Sequence, residues 1–245
     1  MRLLLWLTTA ATASAFSVFS SSRTTTTTTT TTTTRHTSSS PSSSSHMSSP
    51  KLESLTRPIC EYHVLTIPMP ESSNLQPQQE IHVMDVTPIV RDLLEQTGLQ
   101  HGLLTVTSRH TTTGITINEQ ESRLARDLQE WLLQLAPPDE RSVAARQKGV
   151  RYQHNDLDQR PESVSEEQRC LENGWNIHDP VQLVAWRAQE PINAHSHLAA
   201  MLLGTTESIP VVEGKLTLGS WQSILLVDMD GPRERTVGVQ VMGYL

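Results

Sequence analysis

Cysteine is almost missing from this chain: Cys60 and Cys170 are the only two in 245 residues. That excludes a secreted disulfide scaffold. Positive charge is also scarce. Residues 1–50 carry Arg2, Arg23 and Arg35 and no acid, so of 19 basic residues 16 remain beyond position 50 to face all 26 acidic ones, a formal charge of −10. Such a surface does not suit nucleic acid or an anionic membrane. No apolar run is long enough to span a bilayer, no internal repeat is visible, and no compact HExxH motif announces a metal.

The first fifth of the chain is set apart by composition. Residues 1–15 have a basic start, a short apolar run and an Ala13-Ser14-Ala15 triplet before Phe16, the pattern of a secretory signal. Residues 16–50 are a Ser/Thr-rich tract with an unbroken run from Thr24 to Thr34, too poor in apolar surface to order itself. The two together resemble a bipartite plastid presequence, so plastid delivery is expected, with secretion, or a cytoplasmic product begun at Met47, as alternatives.

From residue 51 onward the pattern is that of one globular domain. Tyr62, Val64 and Ile67 suggest a strand, and Glu80–Val86 alternates as a second. Thr87-Pro88 opens a helix that buries Ile89, Val90, Leu93 and Leu94 and stops at Gly98. Leu103–Ser108 reads as a strand, and Glu121–Leu135 as a helix with Leu124, Leu128, Trp131, Leu132 and Leu135 on one face, ended by Pro137-Pro138. Residues 139–192 are weakly patterned and read as a long excursion with one or two short helices. Beyond it, His197–Leu203 suggests a helix, followed by strands near 208–212, 215–218, 221–228 and 236–243 with Glu-Gly and Asp-Gly-Pro turns between them. The expected class is α+β: a mostly antiparallel, meander-like, sandwich-like sheet core with two or three helices.

Chemistry concentrates in Ser108-Arg-His110-Thr-Thr-Thr-Gly114-Ile-Thr-Ile-Asn118-Glu119, where an imidazole, hydroxyls including Thr111, and an amide-carboxylate pair share one strand-like segment. Of ten histidines, His36 and His46 fall in the tail, and His63, His82, His101 and His178 read as ordinary structural or surface residues. His110, His154, His195 and His197 remain. Three of them converging from separate elements would suit an open catalytic zinc site, or a polar site that binds phosphate. One of His195 and His197 is expected to point away from the other. Glu119 is the best carboxylate for proton transfer and also a candidate first-turn helix acid. Asn118 and Asn193 offer amides, Trp221 and Gln222 an aromatic plate and an amide, and Arg233 with Arg235 an anion contact or a plain charged turn.

Read in order, His110-Thr-Thr-Thr-Gly, Ile117-Asn-Glu119, Tyr152-Gln-His154, Asn193, His195-Ser-His197-Leu, Ile209-Pro-Val, Gly214-Lys-Leu-Thr-Leu-Gly219-Ser-Trp-Gln222 and Asp230-Gly-Pro-Arg-Glu-Arg235 resemble the YjbQ family over most of residues 61–245. The resemblance implies a small α+β domain that forms a homotrimer and has a weak, secondary thiamine-phosphate synthase activity, joining hydroxymethylpyrimidine diphosphate to a thiazole phosphate. It implies His110, His154 and His197 as a histidine set able to hold a divalent metal, zinc or magnesium. It further implies His110, Glu119 and His197 as catalytic groups, with Thr111, Asn118, Asn193, Trp221, Gln222 and Arg233 around the substrate. Ser220 stands where many members have Thr, and residues 160–191 form an insertion longer than the usual link. Rival functions are a metal-dependent hydrolase of a small phosphate or amide, and a metabolite-binding trimer without turnover.

Overall fold

The structure is a computed structural model that describes residues 57–68, 81–231 and 233–245, within the unit Pro50–Leu245. The signal-like segment 1–15 and the Ser/Thr tract 16–50 lie outside the described residues. In chain order the elements are β1 (Pro58–Ile67), β2 (His82–Asp85), α1 (Thr87–Thr97), β3 (His101–Ser108), β4 (Thr113–Asn118), α2 (Ser122–Leu135), α3 (Val164–Glu172), α4 (Pro180–Gln189), α5 (Ala194–Leu203), β5 (Thr206–Val212), β6 (Lys215–Leu216), β7 (Ser223–Asp228) and β8 (Arg235–Tyr244). Among the described residues no helix is long and apolar enough to cross a membrane.

Local chemistry sets the helix ends. The backbone N–H of Thr87 donates to Asp85 Oδ1 at 2.8 Å, Pro88 follows in the first turn of α1, and Gly98 closes the helix at φ 71° with its N–H on the carbonyls of Leu94 and Glu95. Glu121 caps α2 by accepting the N–H groups of Arg123 and Leu124 at 2.8 Å each. The stripe expected to be the buried face of α2 is only partly so. Leu132 is fully buried, whereas Trp131 and Leu135 are half exposed, because the helix turns Leu128, Leu132 and Leu133 toward its apolar neighbours and leaves Leu124 and Trp131 at a groove.

All strand pairs are antiparallel, in two sheets of order β1-β8-β3-β5-β6 and β2-β7-β4. The class is the expected α+β sandwich, but the C-terminal strands do not form a meander. β7 departs to the small sheet and β8 slots between β1 and β3. The sheets share one core, in which Leu104, Val106, Val237, Val239 and Val241 of the large sheet meet Ile115, Ile224 and Leu226 of the small one, with α1 alongside. The other face of the small sheet carries Val227 against Leu132 of α2 and Ala199 and Ala200 of α5. Three helices thus accompany the sheets, and α3 and α4 fall inside the 139–192 excursion.

The chain passes from one sheet to the other through residues 228–235, and a buried ion pair braces that corner. Arg235 donates from Nε to Asp228 Oδ2 at 2.8 Å and from Nη2 to Asp228 Oδ1 at 2.5 Å. Both side chains are buried. Replacing Arg235 with Met leaves a buried carboxylate unpaired and is expected to cost about 3–5 kcal/mol. Urea unfolding checks this, and a midpoint equal to wild type contradicts it.

Candidate active site

Three segments meet beside the 228–235 corner. The first is the turn 109–112, which interrupts the run that reads as one continuous strand: β3 ends at Ser108 and β4 begins at Thr113. The buried hydroxyls of Ser108 and Thr113 bond one another across this turn, and the Thr112 carbonyl accepts the N–H of Met229 at 3.0 Å. The second is α5, whose Ser196 hydroxyl donates to the Met229 carbonyl at 2.6 Å. The third is the short turn at Gln153–Asn155, where Asn155 Oδ1 accepts the first helical N–H of α5, from Ala194, at 3.1 Å.

Four histidines stand around this junction, and they divide into separate groups. His154 and His197 lie edge to face, with ring centroids 4.8 Å apart and planes at 68°; both line a cavity of about 470 Å³ with Arg151, Tyr152 and Gln153. His197 lies near the backbone of Thr111, and His154 near the side chain of Asn193. His195 faces a different cavity, of about 860 Å³, with Asn193, Asp230 and Arg233. The expected divergence of His195 from His197 therefore holds, although its cause is helical: residues two apart on α5 are turned by about 200° at 3.6 residues per turn. His110 is anchored elsewhere. Its Nε2 accepts the backbone N–H of Thr236 at 2.9 Å, so the ring proton sits on Nδ1.

Asn193 lines the larger cavity. It is buried, and its Nδ2 donates to Asp230 Oδ2 at 2.7 Å. Asp230 in turn accepts Arg233 Nη2 at 2.5 Å. A continuous polar path therefore runs from Asn193 through Asp230 to Arg233.

The weakly patterned segment 139–192 builds much of the surroundings. Asp139 is fully buried and accepts Arg141 Nε and Nη2 at 2.8 Å each, the N–H of Tyr152 at 2.9 Å and Asn155 Nδ2 at 3.1 Å. These bonds, led by those from Arg141, hold its carboxyl well below the usual carboxylate range. The segment 160–191 has a small apolar cluster of its own, with Cys170, Ile177 and Trp186 at its centre. Arg160 clasps its two ends: Nε meets Glu166 at 3.0 Å, Nη1 meets Glu190 at 3.1 Å, and the guanidinium lies 5.4 Å from the Trp186 ring centroid. The segment is part of the site's electrostatics, because the charge of Arg160 acts on both His154 and His197.

Burial lowers the pKa of all four histidines. For His154 the charge of Arg160 adds to burial, and for His110 that of Arg235 does; for His197 and His195 the carboxylate of Asp230 opposes it. The imidazoles are therefore neutral at pH 7, able to give or take a proton. The set His110, His154 and His197 is not assembled around one point. Two of the three rings are adjacent and the third is bonded to Thr236, and among the described residues no group of three His, Cys, Asp or Glu side chains is arranged to hold a metal ion. The adjacent neutral rings of His154 and His197 are suited to proton handling.

Asn118, Glu119, Trp221 and Gln222 are placed together, but elsewhere. In the β4–β7 register Thr113 opposes Asp228 and Asn118 opposes Ser223, so these residues stand at the far end of the small sheet, about 17 Å along the strand at ~3.4 Å per residue. Asn118 and Glu119 border an apolar groove with Trp131 and Leu225. Gln222 Oε1 accepts the N–H of Gly219 at 2.7 Å and so serves its own turn, and Trp221 is exposed. Arg160, Asp139, Asn155 and Asp230 were not among the expected site residues. Asp230 carried a signal, since it opens the Asp-Gly-Pro turn that contains Arg233.

A family model described as UPF0047 protein, YjbQ-like, matches residues 71–244. A UPF0047 protein of Methanothermobacter thermautotrophicus is 33% identical over 169 residues, which is 69% of this chain and 88% of that protein. One from Archaeoglobus fulgidus is 31% identical, over 69% of this chain and 97% of its own. Among solved structures, a hypothetical protein from Aeropyrum pernix is 30% identical with a TM-score of 0.50, covering 76% of this chain and 99% of that one. A YbjQ-like protein of unknown function from Sulfolobus solfataricus, at 24% identity, TM-score 0.53 and the same coverage, shares the fold.

The histidine shifts have a consequence for stability. A group whose folded pKa lies below its ordinary 6.5 binds fewer protons in the folded state, so its contribution is complete above pH 6.5 and is lost as pH falls toward the folded value. The melting temperature is expected to fall between pH 7 and pH 5, and His195→Gln to flatten that fall. A pH-independent melting temperature over this interval contradicts neutral burial.

Proposed function

The chain belongs to the UPF0047 YjbQ-like family, and from that membership and the geometry at α5 we propose that it is an enzyme acting on small phosphorylated molecules, of the thiamine-phosphate synthase type. The observation that carries this reading is the pair of neutral, part-buried imidazoles, His154 and His197, beside the charge of Arg160 and the Asp230–Arg233 pair. In the proposed reaction the thiazole ring nitrogen forms a bond to the exocyclic carbon of the pyrimidine as that carbon's bond to the diphosphate oxygen breaks. Negative charge then grows on the departing pyrophosphate. Arginine and a proton from a neutral imidazole are suited to stabilise it. Glu119 stands at the far end of β4, away from these rings.

The expected self-association is supported by the outer face of the large sheet. The register places Pro58, Tyr244, His101 and Val212 in one cross-strand row, then Cys60, Met242, Leu103 and Pro210, then Tyr62, Gln240, Thr105 and Ser208, then Val64, Gly238, Thr107 and Thr206. None of these positions holds Asp, Glu, Lys or Arg, and Tyr62, Leu103 and Met242 are each about half exposed. A charge-poor apolar face on an acidic chain favours contact with further copies of itself, and we assign it to the homotrimer.

Purified full-length chain, given both organic precursors, is expected to form thiamine phosphate, with His197→Ala or His154→Ala lowering turnover about a hundredfold or more. No product above the His197→Ala level removes the synthase reading. Consumption of the diphosphate without the second precursor replaces it with hydrolysis, and retained ligand without any turnover replaces it with a binding trimer. In sedimentation the wild type is expected at three times the chain mass of 27.3 kDa, and Leu103→Lys at one. A trimer that survives Leu103→Lys and Met242→Lys together moves the interface elsewhere.

A further inference from the structure

The cavity of about 860 Å³ lies on the other side of the first turn of α5 from His154 and His197. Its size is that of a pocket for a small organic molecule. One wall is apolar, formed by Ile81, Leu133, Pro138, Ile192 and Met229. Three arginines, Arg141, Arg146 and Arg233, also line the cavity. Arg146 is exposed there and has no ion-pair partner among the described residues. Arg233, half exposed, spends Nε and Nη2 on Asp230. The cavity's carboxylates are Glu130 and Asp230, and Asp230 is already covered by Arg233 and Asn193. Arg141 also lines it but is committed to Asp139 and Asp156.

Two further atoms mark this cavity as more than a surface dent. His195 Nδ1 and Ser142 Oγ are buried without a hydrogen-bond partner, and both residues line it. Unpartnered buried polar atoms are rare in native proteins and call for an explanation, and a bound polar group reaching this wall is one. An apolar wall with two arginines, an imidazole and a hydroxyl matches a flat apolar ring carrying a phosphate or diphosphate.

We infer that the larger cavity is a second chamber of the same site, which takes the phosphorylated end of one substrate through Arg146 and Arg233 while His154 and His197 serve the other chamber. The inference rests on the reading of the protein as a phosphate-handling enzyme and deepens it. The two chambers adjoin along the start of α5, where Asn193, His195 and Ser196 line the larger and Ala194, His197 and Leu198 the smaller. Two chambers set so close suit a reaction that joins two substrates. A hydrolase needs one. The excursion 139–192 supplies Arg146, Ser142 and Ile192, so this stretch creates the chamber.

Isothermal titration of the full-length chain with inorganic pyrophosphate at physiological ionic strength tests the assignment. Binding of one equivalent is expected, weakened about tenfold or more by Arg146→Ala and by Arg233→Ala, as loss of a charge-assisted contact predicts, and changed less than about twofold by His197→Ala. Arg146 has no ion-pair partner among the described residues, so its variant reports on the cavity even if Arg233→Ala unsettles the corner. No binding overturns the inference, as does binding that His197→Ala abolishes and Arg146→Ala spares. Pyrophosphate binding without synthase turnover leaves the chamber standing and removes the proposed reaction. Turnover without pyrophosphate binding does the reverse.

Discussion

The buried pair between Asp228 and Arg235 is the contact on which the site's geometry depends. It joins the last residue of β7 to the first of β8, and so fixes how the small sheet sits against the large one. Asp228 also accepts the N–H of Asp230 at 3.0 Å, and Arg235 donates to the Asp230 carbonyl at 2.9 Å. Those two bonds set the position of Asp230, which holds Asn193 and Arg233. A buried ion pair is weak evidence for stability, since its desolvation cost offsets its attraction. Here it specifies where a turn goes.

A second buried carboxylate does the same for the excursion. Asp139 gathers Arg141, Tyr152 and Asn155, and Asn155 then takes the first N–H of α5. The excursion is thereby tied to the helix that carries His195 and His197. Its 160–191 part is folded around Trp186 and clasped by Arg160, whose charge reaches both paired histidines. Residues 160–191 thus contribute directly to the electrostatics of the proposed site.

Much of the fold is legible in the sequence because its signals are local. Pro88 and Gly98 bracket α1 through backbone rules that need no tertiary partner, and the alternation of β8 shows which of its residues face inward. Strand partners are another matter. Nothing in residues 221–228 says that they pair with β2 and β4 and not with β8, because that choice rests on contacts more than a hundred residues apart. The site is divided likewise. His154 and His197 come together from distant segments, and Asn193 and Arg233 meet at Asp230, whereas strand length carries Asn118 and Glu119 to the opposite end of β4. Asp139 and Asn155 are invisible in advance because their bonds span an irregular segment with no periodicity.

Neutral imidazoles flank the first turn of α5, beside the corner where Asn193 is bonded to Asp230. Long-range proton–nitrogen NMR correlation of the histidine rings in the full-length chain at pH 7 measures their state most directly. His110 is expected to be protonated on Nδ1 alone, and His154 and His197 to be neutral. Doubly protonated His154 and His197 at that pH would contradict neutral burial.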